Sequence, residues 1–238
     1  MSYKKVSALY LLTILFFIIV WYAQGSYLLS DRSKSTLYYL NNSVSGYSSL
    51  LAYSIFYPIP FLFLYNQLFL KEKQVTVIRR ETREKLYSTL ILRVMIAAVL
   101  FTLLLTIVNL SLSLAYFGID LVLHGNFLKV GFVNAISVTL FFSIIGNIYV
   151  VLSTVIRKSS LAMFSTFILF SVLFFLHKLV FQDKFWTVYL ELSAFEVFYN
   201  YSIPIAGILF GSIKVFLVFL FVFMSGFLIF SRKDLYYD

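Results

Sequence analysis

Two apolar runs, FTLLLTIVNLSLSLAYF at residues 101–117 and FLVFLFVFMSGFLIF at residues 216–230, decide the class of fold. Both are continuous, without the strict alternation of polar and apolar residues that is typical of a membrane-spanning strand. Both lie in longer apolar segments that reach the roughly 20 residues an α-helix needs to cross a hydrocarbon core of about 30 Å. We therefore predict membrane-spanning helices.

The rest of the chain has the same character. Of its 238 residues, 61% are hydrophobic and only 12% are charged, which is outside the range of soluble domains. Six weakly charged runs predict six transmembrane helices in an all-α polytopic membrane protein. They cover residues 6–23, 47–70, 91–117, 132–156, 159–181 and 205–230. Little sequence remains outside them, so we predict a single transmembrane domain over residues 1–238.

The distribution of positive charge predicts the orientation. Six spans place both termini and the loops after the second and fourth spans on one side, and most of the 19 Lys and Arg residues fall there. Basic loops remain cytoplasmic, so both termini are predicted to be cytoplasmic. The first run, VSALYLLTILFFIIVWY, is long for a signal peptide and no A-x-A site follows it, so we interpret it as an uncleaved anchor.

The sequence provides no sign of intrinsic catalysis. It has no cysteine, no H-E-x-x-H, no G-x-S-x-G and no P-loop, so we predict neither a catalytic site nor a metal site. The net charge of +9 follows from topology, because no folded module outside the membrane is available to bind nucleic acid. Few ionisable residues lie within the spans, which disfavours an ion pathway.

A small set of polar residues does lie within or near the spans. We predict that the amides form helix-to-helix hydrogen bonds rather than substrate contacts. His177, Lys178 and Lys214 fall near the outer ends of spans five and six, and His177 and Lys178 are predicted to anchor at the interface. The amides are Asn66, Gln67, Asn109, Asn134 and Asn147.

The stretch VIRRETREK, residues 77–85, concentrates charge between spans two and three. On a helix Arg79, Arg80 and Arg83 share one face, while apolar residues including Ile78 and Leu86 could rest on the bundle or the lipid interface. We predict a short amphipathic helix. Charge alone leaves two interpretations open: a solvated loop that only enforces orientation, or a surface on which a partner docks.

The predicted outer segment FQDKFWTVYLELSAFEVFYNYSIP, residues 181–204, is too charged to span. Its hydrophobic residues recur at 185, 189, 192 and 195, which predicts helices that lie at the membrane interface or dip into it. An ordinary interfacial helix explains the pattern equally well. The first outer loop, residues 24–46, is polar and predicts no particular chemistry.

In layout the chain resembles the six-span permease subunit of bacterial ABC exporters of the type V (ABC-2-like) fold, particularly the short peptide- and bacteriocin-associated permeases. The resemblance is carried by the basic leader MSYKK, the basic segment VIRRETREKLYSTL and the outer segment after span five. It implies that residues 71–90 contain a coupling helix docked on an ATPase, and that re-entrant helices gate the outer mouth. The implied docking residues are Arg79, Arg80, Arg83, Glu84 and Lys85. The implied outer-gate or interfacial residues are Trp186, Tyr189, Phe195 and Phe198.

The same resemblance implies the function and the partners. A second permease copy, identical or closely related, and two copies of a separate P-loop ATPase would complete the transporter in the bacterial plasma membrane. The partner would hold ATP and Mg²⁺, whereas this chain would bind no cofactor and would not be an enzyme. An uncharged, aromatic-rich path suits an amphipathic peptide or another amphiphilic molecule. The alternatives are a membrane interaction or immunity protein that does not transport and, less favoured, a secondary transporter or channel.

Overall fold

The computed structural model describes residues 3–26, 31–42, 44, 46–70, 82–124, 126–156, 158–181 and 184–232. Within these ranges the chain is helical and contains no strand. The α-helices are α1 (Tyr3–Gly25), α2 (Lys34–Tyr39), α3 (Pro58–Tyr65), α4 (Arg83–Phe117), α5 (Ile119–His124), α6 (Phe127–Ile156), α7 (Ser159–Leu176), α8 (Ala194–Asn200) and α9 (Ile205–Arg232). Short π-helical turns occupy Ala52–Phe56, Asn66–Leu70 and His177–Phe181, and a 3₁₀ turn occupies Val188–Leu192.

Five helices are long and apolar enough to cross a bilayer, which identifies a multi-pass membrane protein. They are Val6–Gly25, Arg83–Phe117, Phe127–Ile156, Ser159–Phe181 and Ile205–Ser231. Each overlaps a predicted span. The predicted second span, residues 47–70, is not among them, because it is divided into two π-helical turns on either side of α3.

Two prolines explain the interruption. Pro58 and Pro60 lack the N–H group that would bond to the carbonyl four residues earlier, so the regular hydrogen-bond ladder cannot continue through them. The Tyr57 N–H donates instead to the Ala52 carbonyl, five residues back, at 2.8 Å. The backbone therefore takes π-helical geometry before α3 begins at Pro58.

The interrupted segment nevertheless follows α4 over much of its length. The Tyr47 hydroxyl donates to the Leu105 carbonyl at 3.1 Å near one end, and the Tyr65 hydroxyl donates to the Leu90 carbonyl at 3.4 Å near the other. Between these contacts the Phe61 ring packs on Phe101, with 5.4 Å between centroids. The segment thus runs antiparallel to α4.

Helix α6 lies at the centre of the bundle, packed against α4, α7 and α9. It is in close contact with α4 at Gly146, where an added Cβ would overlap Cγ1 of Val94. Small residues allow helix backbones to approach each other in this way, and the resulting close packing contributes to association in a bilayer. The two helices are therefore in tight contact at the half of α4 that contains its first residues.

The first predicted outer loop is partly buried, which its polar composition did not indicate. Leu37, Tyr38, Leu40 and Asn41 in and after α2 are each no more than 1% exposed. Ser33 caps α2, its hydroxyl accepting a hydrogen bond from the Thr36 N–H at 3.3 Å. The described residues of this loop therefore fold onto the bundle.

Candidate functional site

The predicted docking residues divide at residue 82. Arg79 and Arg80 lie outside the described residues, whereas Arg83, Glu84 and Lys85 form the first turn of α4. Thr82 is extended, with φ −64° and ψ 150°, and its hydroxyl accepts a hydrogen bond from the Lys85 N–H at 3.4 Å. Such an N-cap begins a helix, so the predicted amphipathic helix does not continue across residue 82. Helix α4 begins eight residues before the predicted boundary at 91.

Arg83 ties the beginning of α4 to the end of α9. Its Nη1 donates to the Ser231 carbonyl at 3.3 Å, and Ser231 lies in the last turn of α9. The carbonyl end of a helix carries partial negative charge, so a guanidinium is favourably placed there. Arg83 therefore has a role within the bundle as well as its proposed role in docking, while Glu84 and Lys85 are exposed.

One turn further along α4, Tyr87 links three helices. Its hydroxyl lies 2.7 Å from Asn147 Oδ1 on α6 and 3.2 Å from the Phe223 carbonyl on α9. The side chain is fully buried, and at Gly226 of α9 an added Cβ would overlap the Tyr87 hydroxyl. Arg83 and Tyr87 together form what we call the basal clamp. The polar partners of Tyr87 lie on distant helices, so the local sequence did not indicate them.

The intramembrane amides form the predicted bonds between distant parts of the bundle. Asn109 is held by Trp21 of α1 at 3.3 Å and by Asn41 at 2.7 Å. Asn134 donates to the Tyr53 hydroxyl at 3.0 Å. Asn66 accepts from Tyr149 and Ser159, and Asn147 accepts from Tyr87. The structural interpretation of these four amides is confirmed.

The predicted outer residues belong to three different contacts. Phe195 and Phe198 pack on Tyr38 of α2, with centroids 6.4 and 6.0 Å away. Tyr199 completes this cluster by stacking on Tyr38 at 4.9 Å. Tyr189 lies deeper, where its hydroxyl donates to the Phe170 carbonyl at 2.9 Å. We call the cluster formed by Tyr38, Phe195, Phe198 and Tyr199 the aromatic cap.

Trp186 marks the third outer contact, an ion pair on α9. Lys214 Nζ and Trp186 Nε1 both donate to Glu191 Oε1, at 2.8 and 2.7 Å. The other carboxylate oxygen of Glu191 lies against Gly211, where an added Cβ would overlap it. The pair neutralises a lysine on a membrane-spanning helix and fixes the 3₁₀ turn to α9.

His177 differs from its predicted role as an exposed interfacial anchor. It is 1% exposed, its Nδ1 lies 3.0 Å from the Thr187 hydroxyl, and its ring stacks on Tyr189 at 5.5 Å. The π-helical turn His177–Phe181 and the outer segment pack together and cover the imidazole, whereas Lys178 is exposed. The hydrophobic spacing correctly indicated helices in the outer segment, but Phe185, predicted on the same stripe, is exposed.

The surroundings of Tyr38, Tyr189 and Asp31 favour the ordinary charge state of each side chain. Burial raises the pKa of Tyr38 to about 12 and raises that of Tyr189 well above its usual value, so both remain neutral phenols at physiological pH. Hydrogen bonds from Thr36 and Ser33 lower the pKa of Asp31 and favour its carboxylate. In the part of the chain described, no three His, Asp or Glu side chains form a group suited to a metal ion.

No family model matches the chain, and no curated protein or solved structure is significantly similar to it. The function is therefore argued from the arrangement of these residues. The basal clamp and the aromatic cap lie toward opposite ends of α4 and α6. The arrangement could relay a displacement at the base of α4 to α6 and α9.

Proposed function

We propose that this chain is the six-span permease subunit of an ATP-driven ABC exporter in a bacterial plasma membrane. In this proposal segment 47–70 crosses the bilayer as the second span, and both termini are cytoplasmic. Two permease copies assemble with two copies of a P-loop ATPase that hold ATP and Mg²⁺. The contacts of segment 47–70 along α4, from Leu105 to Leu90, support the sixth crossing.

The basal clamp is the observation that carries the coupling proposal. Residues 71–90 include the basic segment that would dock on the ATPase, and this segment leads directly into the first turn of α4. A displacement there would act on Arg83 and Tyr87, which hold α9 and α6 through Ser231, Phe223 and Asn147. Closure of the ATPase dimer would thus move three helices together rather than one.

The character of the bundle supports an amphiphilic cargo. Lys214 is neutralised by Glu191, and the amide nitrogens of Asn109 and Asn134 donate to other parts of the protein. A small hydrophilic solute would need polar groups directed toward it. An amphipathic peptide or another hydrophobic or amphiphilic molecule can be transported along a path that has few such polar groups.

The proposal is tested by co-purification from bacterial membranes in mild detergent. We expect a P-loop ATPase to accompany the tagged chain in a one-to-one ratio, with ATP hydrolysis in the purified complex. Arg79→Glu combined with Arg80→Glu should release the ATPase and abolish ATP-dependent export. Lys129→Glu, on the exposed start of α6, is the matched control and should retain it.

The alternative, a membrane interaction or immunity protein without transport, predicts a different result. The unmodified chain would then be purified without a stoichiometric ATPase, and the double charge reversal would change nothing. Either observation would overturn the transport proposal. Arg83 is left unchanged in this experiment because its bond to Ser231 also contributes to folding.

A further inference from the structure

Beyond the contact between Val94 and Gly146, helices α4 and α6 border a groove in the other half of the pair. Its volume is about 490 Å³. The walls come from both helices, and Phe195 of α8 lies at its margin, near Gly131. Apolar side chains that line it include Val99, Leu103, Leu110, Phe132, Ala135 and Leu140.

The groove opens toward the hydrocarbon rather than toward water. Leu103 and Phe132 at its margin are 50% and 69% exposed, and both lie on helices long and apolar enough to span a bilayer. Asn109 also lines the groove, but its amide oxygen and nitrogen already bond to Trp21 and Asn41. The groove lining is therefore mostly apolar, and the hydroxyl of Thr102, which also lines it, has no hydrogen-bond partner among the described residues.

The length of the groove matches the thickness of the hydrocarbon region of one bilayer leaflet. On α4 the lining runs from Val99 to Leu110, which corresponds to about 16 Å at a rise of 1.5 Å per residue. Half of a hydrocarbon core is roughly 15 Å. An extended acyl chain that lies along the two helices thus matches the groove in direction, length and polarity.

Two other occupants fit less well. A helix from a second copy is about 10 Å wide, and one that spans the bilayer is about 30 Å long, roughly twice the length over which the groove is lined. An extended peptide of roughly five residues would bring about ten backbone N–H and C=O groups that need partners. A hydrocarbon chain has neither the width of the helix nor the polar groups of the peptide.

We propose that this groove is a specific site for one acyl chain of a membrane phospholipid. The site goes beyond the transport function and does not depend on it. Because Phe195 belongs to both the groove and the aromatic cap, a bound chain would pack beneath α8. A lipid at this position would support the contact between α8 and α2.

The test uses the full chain in vesicles of palmitoyl-oleoyl phosphatidylglycerol, doped with the same lipid that carries a diazirine midway along one acyl chain. After illumination, adducts are mapped by peptide mass spectrometry. We expect at least fivefold more adducts at Leu103 and Phe132 than at Leu12 of α1 and Phe164 of α7. Those two controls are 64% and 58% exposed, so exposure alone would not produce the difference.

A variant that fills the groove provides the second part of the experiment. Ala135→Phe should reduce the adducts at Leu103 and Phe132 at least fivefold and leave those at Leu12 and Phe164 unchanged. The same substitution at exposed Ala206 of α9 should change none of them. Thr139→Phe, which also fills the groove, serves if Ala135→Phe does not fold.

Two results would overturn the proposal. Equal labelling of the groove and the control positions in the unmodified chain would show bulk lipid only, and this result does not depend on any variant folding. The chain has no cysteine, so Leu103→Cys can be tested for a disulfide between two copies. A high yield of that disulfide would show that a second copy, not a lipid, covers the groove.

Discussion

Tyr87 shows at the scale of one residue how a buried hydroxyl can hold three helices. Its oxygen lies within hydrogen-bond distance of Asn147 on α6 and of the Phe223 carbonyl on α9, and its ring packs on Phe223, Phe227 and Phe230. Without this hydroxyl the Asn147 oxygen would be left buried without its partner. An unsatisfied polar group of this kind is unfavourable in a bundle interior.

We predict that Tyr87→Phe lowers the free energy of unfolding by about 1 kcal/mol. In a double-mutant cycle with Asn147→Leu, the coupling energy should fall between about 0.6 and 1.7 kcal/mol, which are the average and the maximum for interhelical hydrogen bonds in a bilayer protein. Unfolding by SDS in mixed micelles measures both quantities. Tyr116→Phe is the control, because its hydroxyl bonds to Tyr22 at an exposed position and its loss should have little effect. A coupling energy near zero would show that the clamp does not stabilise the bundle.

Thr102 is the opposite case, because its hydroxyl is buried without a hydrogen bond to stabilise it. It is 2% exposed, and its oxygen has no hydrogen-bond partner among the described residues. We predict that Thr102→Val raises the free energy of unfolding by about 1 kcal/mol, because it removes a desolvated hydroxyl at nearly constant shape.

Thr166→Val provides the matched comparison in the same unfolding assay. The Thr166 hydroxyl is equally buried but donates to the Ala162 carbonyl at 2.8 Å. This substitution removes a satisfied bond, so we expect no gain in stability. Equal stabilisation by both substitutions would mean that the effect comes from apolar character alone.

At the scale of whole elements, the contact between α4 and α6 depends on the absence of a side chain at Gly146. We predict that Gly146→Ala destabilises the bundle by about 1–3 kcal/mol, because the new methyl overlaps Val94 and forces the helices apart. Thermal unfolding in detergent measures the loss. Val94→Ala in the same chain should restore part of it.

Gly131→Ala is the control for this substitution on the same helix. An added Cβ there would meet only the Phe195 ring at 3.7 Å, an ordinary van der Waals distance. Alanine also favours the helix over glycine by about 1 kcal/mol, so Gly131→Ala should be neutral or stabilising. Equal destabilisation at both positions would contradict the role of Gly146 in close packing.

The length of the apolar runs was sufficient to predict the long helices, but not which residues form contacts between them. The apolar runs correctly indicated α1, α4, α6, α7 and α9, because a helix that faces lipid must be apolar along its length. The polar composition of residues 24–46 gave no sign of burial, yet Asn41 is buried. Its partner Asn109 lies on α4, and local composition does not encode so distant a contact. The position of Tyr87 in the clamp was missed for the same reason.

At the scale of the whole molecule, segment 47–70 determines the topology. If it crosses the membrane, the chain has six spans and its termini lie on the same side. If it does not, the five long helices place the termini on opposite sides. We predict the first arrangement, with both termini cytoplasmic, on the basis of the basic loops.

Reporter fusions decide between these arrangements. Green fluorescent protein fluoresces when fused on the cytoplasmic side, whereas alkaline phosphatase is active only on the opposite side. Fusions to either terminus should therefore fluoresce and lack phosphatase activity. An insertion of alkaline phosphatase after Asn126, beside the start of α6, should be active only if segment 47–70 crosses, because three crossings then precede it. Phosphatase activity at one terminus would exclude the six-span arrangement.

The aromatic cap joins parts of the chain that the ribosome produces far apart in time. Tyr38 stacks on Tyr199, and at about 5–20 residues per second the second ring follows the first by roughly 10–30 s. Throughout that delay Tyr38 lacks its stacking partner, so α2 cannot complete its packing. The first loop to be synthesised consequently completes its packing only after the outer segment has been made.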